Sequence, residues 1–112
     1  MRTCFLVINT GCPTQYIVTR RDLPRGFLAA QVAHAAGSYG KHPPETHVVV
    51  LAVENEAELR RTAERLSSAG VGCLPIHEPD EPWSGQMTAI GCALVNDRQL
   101  VRKVVSSIPL LR

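Results

Sequence analysis

Two side chains that form hydrogen bonds lie in the middle of an alanine-rich segment at positions 25–40, RGFLAAQVAHAAGSYG. Gln31 and His34 are three residues apart, so they lie on one face if this segment is helical. A glutamine amide can hold a carbonyl oxygen or a water molecule, and an imidazole can accept a proton near neutral pH. The pair predicts either a polar site for acid–base chemistry or a structural role, in which His34 donates to a backbone carbonyl and Gln31 bridges two loops.

The helical spacing divides this segment into two faces. One face is polar in its middle and is expected near the rim of the fold; it carries Phe27, Gln31, His34 and Ser38. The other is an apolar stripe that should pack on the rest of the protein, and it consists of Leu28, Val32, Ala35, Ala36 and Tyr39.

The basic residues suggest an anionic partner. The net charge is only +2, but three arginines, Arg20, Arg21 and Arg25, fall just before and at the start of the alanine-rich segment. A guanidinium group binds phosphate or carboxylate through a rigid fork of donors. The cluster predicts a surface for a polyanion, with an ordinary solvated patch as the alternative.

Several kinds of site are disfavoured by the composition. The histidines are scattered and the cysteines form no C-x-x-C pair, so neither a metal site nor a cofactor is expected. A cysteine hydrolase based on Cys73 or Cys92 has little support, because both lie in apolar, strand-like contexts. No apolar run reaches the length of a membrane span, and no signal peptide is recognisable, so we expect a cytoplasmic protein with no membrane partner.

The pattern of elements predicts the fold class. Strands are expected at 14–20, 46–54, 71–77 and 86–95, and helices at 24–39, 55–70 and 97–106. Asp22, Asn55 and Asp97 are the expected helix caps. The order β-α-β-α-β-β-α predicts an α/β fold: one domain at 14–112 with a mixed four-stranded sheet and helices packed on it. Residues 1–13 are expected to be an N-terminal extension or an extra edge strand.

Two blocks of the sequence resemble the type II (archaeal and eukaryotic kind) peptidyl-tRNA hydrolases. The first helix of that family follows an Asp-Leu pair and reads G-K-x-A-A-Q-x-x-H-A; the matching residues here are Gly26, Ala29, Ala30, Gln31, His34 and Ala35. The second block of the family is an aspartate loop followed by a T-x-x-A-I-G strand. It is similar to EPDEPWSGQMTAIG, which contains Asp80, Thr88, Ile90 and Gly91.

A last helix followed by two leucines is a third shared feature, so the likeness extends from position 14 to the end of the chain. There are two departures. Phe27 stands where the family has a lysine that is considered catalytic, and EPDEPWSGQ replaces the usual D-A-G-R-T-Q loop. Both departures are similar to a divergent bacterial and phage branch of the family.

This resemblance implies a type II peptidyl-tRNA hydrolase-like fold and a metal-independent reaction, hydrolysis of the ester between a peptide and the 3′ ribose of tRNA. Asp80 would accept a proton or orient His34, while Gln31 and Thr88 would hold the carbonyl or the water molecule. Asp80 has a structural alternative as a turn cap, and Thr88 as an ordinary strand residue.

The partner that the resemblance implies is the acceptor stem and 3′ end of tRNA. Arg20, Arg21 and Arg25 would meet its phosphates, and Phe27 would stack on the terminal adenine. Trp83 either lines a pocket or fixes its own loop to the surface. The sequence leaves a homodimer open.

Two other classes of protein stay open at this point. One is a tRNA- or RNA-binding module that has the same fold and weakened catalysis, which the loss of the lysine favours. The other is a small regulatory α/β domain that binds an amino acid, although such domains usually follow the order β-α-β-β-α-β. A groove that joins Gln31, His34, Asp80 and Thr88 would favour the enzyme, and a filled site would favour the binding module.

Overall fold

Four strands form one mixed sheet in the computed structural model, which describes residues 13–112. The strands occur along the sheet in the order β2-β1-β4-β3. β1 is parallel to β2 and antiparallel to β4, and β3 is antiparallel to β4. Their bounds are β1 Thr14–Arg20, β2 His47–Val53, β3 Cys73–Glu78 and β4 Gln86–Cys92.

Three α-helices pack on this sheet. They are α1 Arg25–Ala36, which continues into a 3-10 turn at Gly37–Tyr39, α2 Glu56–Ser68 and α3 Gln99–Val105. The expected single α/β domain with a mixed four-stranded sheet and packed helices is therefore confirmed. The proposed N-terminal extension at 1–13 lies, except for Pro13, outside the described residues.

The predicted cap is correct at one of the three helices. The Asn55 side chain accepts from the backbone N–H of Glu58 at 3.0 Å. The N-cap of α3 is Arg98 and not Asp97, which lies one residue earlier and accepts from the N–H of Gln99 at 3.0 Å. The prediction for Asp22 is wrong, because α1 begins after Pro24 without a side-chain cap. The Asp22 carboxylate instead pairs with Arg20 in the preceding strand.

The sheet separates two cores. On one face, α2 and α3 cover the larger core, in which Leu59, Leu66 and Val101 pack against strand residues such as Val18 and Ile90. On the other face, α1 covers a smaller cluster of Ile17, Ala35 and Ala89, with Val32, Ala36, Val50 and Ile76 packed around it. All seven residues of β1 are buried, because a central strand is covered on both faces.

Close approach explains why α1 has an alanine at position 35, where the helix meets β4. A Cβ atom added to Gly91 of β4 would collide with the carbonyl oxygen of Ala35 and the hydroxyl group of Ser38. The helix backbone therefore rests almost directly on the sheet, which small side chains allow. The buried residues of α1 are Gln31 and Ala35. The expected apolar stripe is only partly realised, since Tyr39 remains 38% exposed.

The C-terminal segment covers part of the outer edge of β2. Ala52 donates to the carbonyl of Pro109 at 3.0 Å, and Leu111 donates to the carbonyl of Val50 at 2.9 Å. At the opposite edge, β3 contains Pro75, whose missing N–H costs least in an edge strand. Within residues 13–112, none of the helices has the length and apolar character needed to cross a membrane.

Candidate functional site

A β-bulge in β4 turns Thr88 towards α1. Ile76 is paired with Ala89 and His77 with Met87, so Thr88 has no partner residue in β3. Met87 packs in the core under α2 and α3, whereas Ala89 packs in the cluster under α1. The extra residue lets Thr88 share the α1 side with Ala89, which regular alternation along a strand would forbid.

Backbone groups of Met87 and Thr88, at the bulge, form hydrogen bonds with side chains. The Met87 N–H donates to the Glu56 carboxylate at 2.8 Å, and the Met87 carbonyl accepts from the Arg20 guanidinium at 3.0 Å. The Thr88 carbonyl accepts from the Thr19 hydroxyl at 2.9 Å. Three side chains, two from β1 and one from α2, therefore hold the bulge in place, since buried backbone groups need partners.

Thr88 and Gln31 form the central contact of the candidate site. The Thr88 hydroxyl donates to Gln31 Oε1 at 2.6 Å, and Gln31 Nε2 donates to Glu78 Oε1 at 3.3 Å. Thr88 is fully buried and Gln31 is 3% exposed. Both side chains are thus enclosed by α1 and the sheet, instead of lying at the rim as expected for Gln31.

Glu78 connects this contact to the loop at 79–85. Its second carboxylate oxygen accepts from the backbone N–H of Asp80 at 3.1 Å, and its carbonyl accepts from the N–H of Gly85. The turn that follows is closed by Trp83 N–H donating to the Asp80 carbonyl at 2.9 Å. Glu78 is not among the residues that the sequence predicts for the site. Its place at the end of an edge strand, directly before the aspartate loop, was the available signal.

The loop is fixed to α1 by an aromatic contact. The rings of Phe27 and Trp83 are stacked with centroids 5.0 Å apart and planes inclined by 12°. The Arg20 guanidinium carbon lies 5.7 Å from the centroid of the Trp83 ring. Of the two expected roles for Trp83, fixing the loop matches these contacts. One face of Phe27 is occupied by Trp83, which leaves at most the other face for the expected stacking on adenine.

Arg20 lies inside the protein, which contradicts its expected contact with phosphate. Its side chain is only 6% exposed and forms a fork with the Asp22 carboxylate, with distances of 2.7 and 3.0 Å. A further nitrogen donates to Gln86 Oε1 at 2.8 Å and to the carbonyl of Met87. A guanidinium with these partners stabilises the bulge and has no free edge for a nucleic acid.

Arg21 and Arg25 differ in how accessible they are. Arg21 donates to the carbonyl of Ala52 at 3.1 Å and lies 3.0 Å from a Glu54 carboxylate oxygen, with 30% of its side chain exposed. Arg25 is exposed. Together with Arg112 they surround a cavity of about 480 Å³ whose apolar walls are Leu23, Leu28 and Leu111. Two of the three predicted arginines therefore face one open cationic space.

His34 and Asp80 are the exposed members of the predicted site. Both are solvent-accessible, unlike Gln31 and Thr88. His34 is about 4.5 Å further along the axis of α1 than Gln31 and about 60° around it. The structure therefore brings Gln31 and Thr88 into contact, links Asp80 to them through Glu78, and leaves the His34 imidazole on the outer surface.

In the described part of the chain, no group of three or more histidine, cysteine, aspartate or glutamate side chains is placed so that it could hold a metal ion. The Cys92 thiol, which is buried beside β3, has its pKa raised to about 12 by burial. The buried thiol is therefore mostly protonated at neutral pH, which disfavours a hydrolase that uses Cys92 as its nucleophile.

Comparison with known proteins shows the fold and no activity. No family model matches the chain, and no curated protein is significantly similar to it in sequence. The structure is similar to that of a protein of unknown function from Agrobacterium tumefaciens strain C58, with a TM-score of 0.55 and 16% sequence identity. The match covers 89% of this chain and 98% of that one. At this identity the likeness concerns the fold alone.

Proposed function

We propose that the protein is a peptidyl-tRNA hydrolase-like esterase of the type II kind, which releases tRNA from N-blocked aminoacyl- or peptidyl-tRNA. The observation that carries the proposal is the 2.6 Å hydrogen bond between Thr88 and Gln31. It joins the two sequence blocks on which the resemblance rests, although they are 57 positions apart in the chain.

Burial divides the proposed residues into two roles. Gln31 and Thr88 are enclosed, so they act as positioning residues that hold α1 and the bulge in register. Asp80 and His34 are exposed and can meet a substrate, Asp80 as the group that accepts a proton from water and His34 as its partner. Glu78 accepts from both Gln31 and the Asp80 backbone, and it keeps the loop beside α1.

The tRNA contacts are proposed for Arg21 and Arg25 without Arg20. Their exposed edges face the cavity at the start of α1, where phosphate oxygens can pair with guanidinium groups. Phosphate contacts by two cations should give a log–log dependence of affinity on salt with a slope of about −2. Arg21→Ala with Arg25→Ala should reduce that slope to near zero, whereas Arg98→Ala with Arg102→Ala, a pair in and beside α3, should leave it unchanged.

A second candidate is a tRNA- or RNA-binding module with weakened catalysis. It is favoured by the filled interior of the site, because Gln31 and Thr88 use their polar atoms on each other and on Glu78. The Phe27 ring, in the position of the lysine of the resembled family, is packed on Trp83.

Hydrolysis of N-acetylaminoacyl-tRNA by the purified protein tests these two functions. The enzyme is expected to turn over, and His34→Ala and Asp80→Ala to reduce the rate. Phe27→Lys should raise the rate by up to about 100-fold if a missing donor limits it. Phe27→Met is the matched control, since it also removes the stacking on Trp83 but adds no charge.

Three results decide between the candidates. Binding of tRNA without turnover in the parent and in Phe27→Lys would establish the binding module. Turnover that survives both His34→Ala and Asp80→Ala would place the reaction elsewhere. A protein that neither hydrolyses nor binds tRNA would refute both functions.

A further inference from the structure

The described cysteines face each other across two neighbouring strands. Cys73 of β3 is the register partner of Cys92 of β4 in an antiparallel pair. The Ala93 N–H donates to the Gly72 carbonyl at 2.8 Å, which makes the adjacent pair, Gly72 and Ala93, the hydrogen-bonded one. Cys73 and Cys92 therefore form a non-hydrogen-bonded pair, in which the Cα atoms are about 4.5 Å apart and the side chains lie on the same face.

This separation fits a disulfide. Disulfide-linked residues have Cα atoms about 4.4 to 6.8 Å apart, so the backbone would not need to move far for the two sulfur atoms to bond. Both side chains lie on the face of the sheet that α2 and α3 cover, where Cys92 is in the core and Cys73 packs against it. In this structure both thiols are free.

The two thiols differ in their access to solvent. Cys92 is 1% exposed, whereas Cys73 is partly exposed at the edge of the sheet, with its sulfur 4.0 Å from the Ser67 hydroxyl. A small oxidant can therefore reach Cys73 but not Cys92. Cys92 can be reached from its register partner Cys73 but not from solvent, which suits the role of the resolving thiol.

We propose that Cys73 and Cys92 are an oxidation site that forms a reversible disulfide with hydrogen peroxide. The Cys73 thiolate attacks one peroxide oxygen, the O–O bond breaks, and the other oxygen leaves as hydroxide. The hydroxide takes up the proton that the Cys73 thiol released and becomes water, and Cys73 is left as a sulfenic acid. The Cys92 sulfur then attacks the Cys73 sulfur, its proton passes to the departing hydroxyl group, and a second water leaves. The two thiols lose two electrons in total, and these reduce one peroxide to two waters.

The disulfide would close the hairpin that carries the candidate site. The segment between the two cysteines contains Glu78, Asp80, Trp83 and Thr88. Joining its ends restricts the movement of β3 relative to β4, and hence of the loop that Glu78 holds beside α1. The oxidation site is independent of the proposed hydrolase activity, because it depends only on the strand register and on the exposure of the two thiols.

Peptide mass measurement tests the proposal directly. No lysine or arginine occurs between Arg65 and Arg98, so trypsin releases one peptide, 66–98, that contains both thiols. Cys4 and Cys12 lie outside this peptide. After treatment of the full chain with peroxide and alkylation of free thiols, the peptide should be unalkylated and about 2 Da lighter than its reduced form. Dithiothreitol should restore two alkylation sites.

Two variants show the order of the steps. Cys73→Ser should leave Cys92 reduced and alkylated only after unfolding, because peroxide cannot reach the buried thiol. Cys92→Ala should stop the reaction at the Cys73 sulfenic acid, which dimedone traps. The proposal is overturned if peptide 66–98 of the parent retains two free thiols, if Cys73 advances to sulfinic acid without a crosslink, or if the disulfide joins Cys73 to another peptide.

Discussion

Thr88 and Gln31 share a buried hydrogen bond of 2.6 Å that fixes α1 against the bulge of β4. Thr88 is the donor, so the Gln31 amide oxygen is satisfied and its NH₂ group remains directed at Glu78. The bond is therefore a connection between the helix, the sheet and the loop at 79–85.

Replacement of Thr88 by valine keeps the shape of the side chain and removes the donor. The Gln31 oxygen is then buried without its partner, which should lower the free energy of unfolding by about 1–3 kcal/mol. Thr88→Ser keeps the hydroxyl group and should retain more of the stability. Urea unfolding of the three proteins measures the difference, and a valine variant as stable as the parent would show that the bond contributes nothing.

A methyl group at Gly91 should disrupt the contact between α1 and the sheet. The added Cβ would overlap the Ala35 carbonyl oxygen and the Ser38 hydroxyl, so α1 must move away. Overpacking of this kind costs about 1–3 kcal/mol or more. Gly26→Ala is the control, because a Cβ there has open space and alanine favours the helix. Thermal unfolding should show Gly91→Ala falling well below the parent and Gly26→Ala at or above it.

Glu56 should make the protein less stable at acidic pH. The Met87 N–H and, less strongly, Arg60 stabilise its carboxylate and lower its pKa below the ordinary value for a glutamate. The folded-state pKa is lower than the unfolded-state pKa. This stabilisation is therefore fully present at pH values above the unfolded-state pKa of the carboxyl group. It is lost as the pH falls through the lowered value.

Glu56→Gln should therefore flatten the decline in stability as the pH falls from the ordinary pKa of a glutamate through the lowered pKa of Glu56. It should also reduce stability at pH 7 by about 1–2 kcal/mol, the worth of a charge-assisted hydrogen bond. Glu64→Gln, at an exposed position of the same helix, should leave the curve unchanged. Urea unfolding across this pH range is the measurement, and equal slopes for the parent and Glu56→Gln would contradict the assignment.

Replacement of Arg20 by lysine should destabilise the fold, because Arg20 has a structural role. Lysine retains the charge but cannot form the fork to Asp22 while also donating to Gln86 and Met87. Arg20→Lys is expected to destabilise the fold by about 2–4 kcal/mol, and Arg102→Lys, at an exposed site, by less than about 0.5 kcal/mol. If the Arg20 variant unfolds like the parent but binds tRNA more weakly, Arg20 is a surface contact after all.

The amino-acid sequence by itself determined the order of the elements and one of the caps. These features depend on local patterns: Asn55 precedes an amphipathic run, and Pro75 limits β3 to an edge. The apolar run of β2 and the β-branched run of β1 likewise predicted strands without reference to distant residues. The resemblance also selected Gln31 and Thr88, which the structure brings into contact.

The tertiary structure alone decided which polar groups are enclosed. Arg20 is buried because Asp22, Gln86 and the Met87 carbonyl meet it, and two of these three come from a strand far along the chain. The direction of Thr88 depends on one extra residue in β4, which a pattern of alternation does not contain. Burial and side-chain direction result from long-range pairing, so a single sequence predicts where elements begin but not which of their side chains remain free.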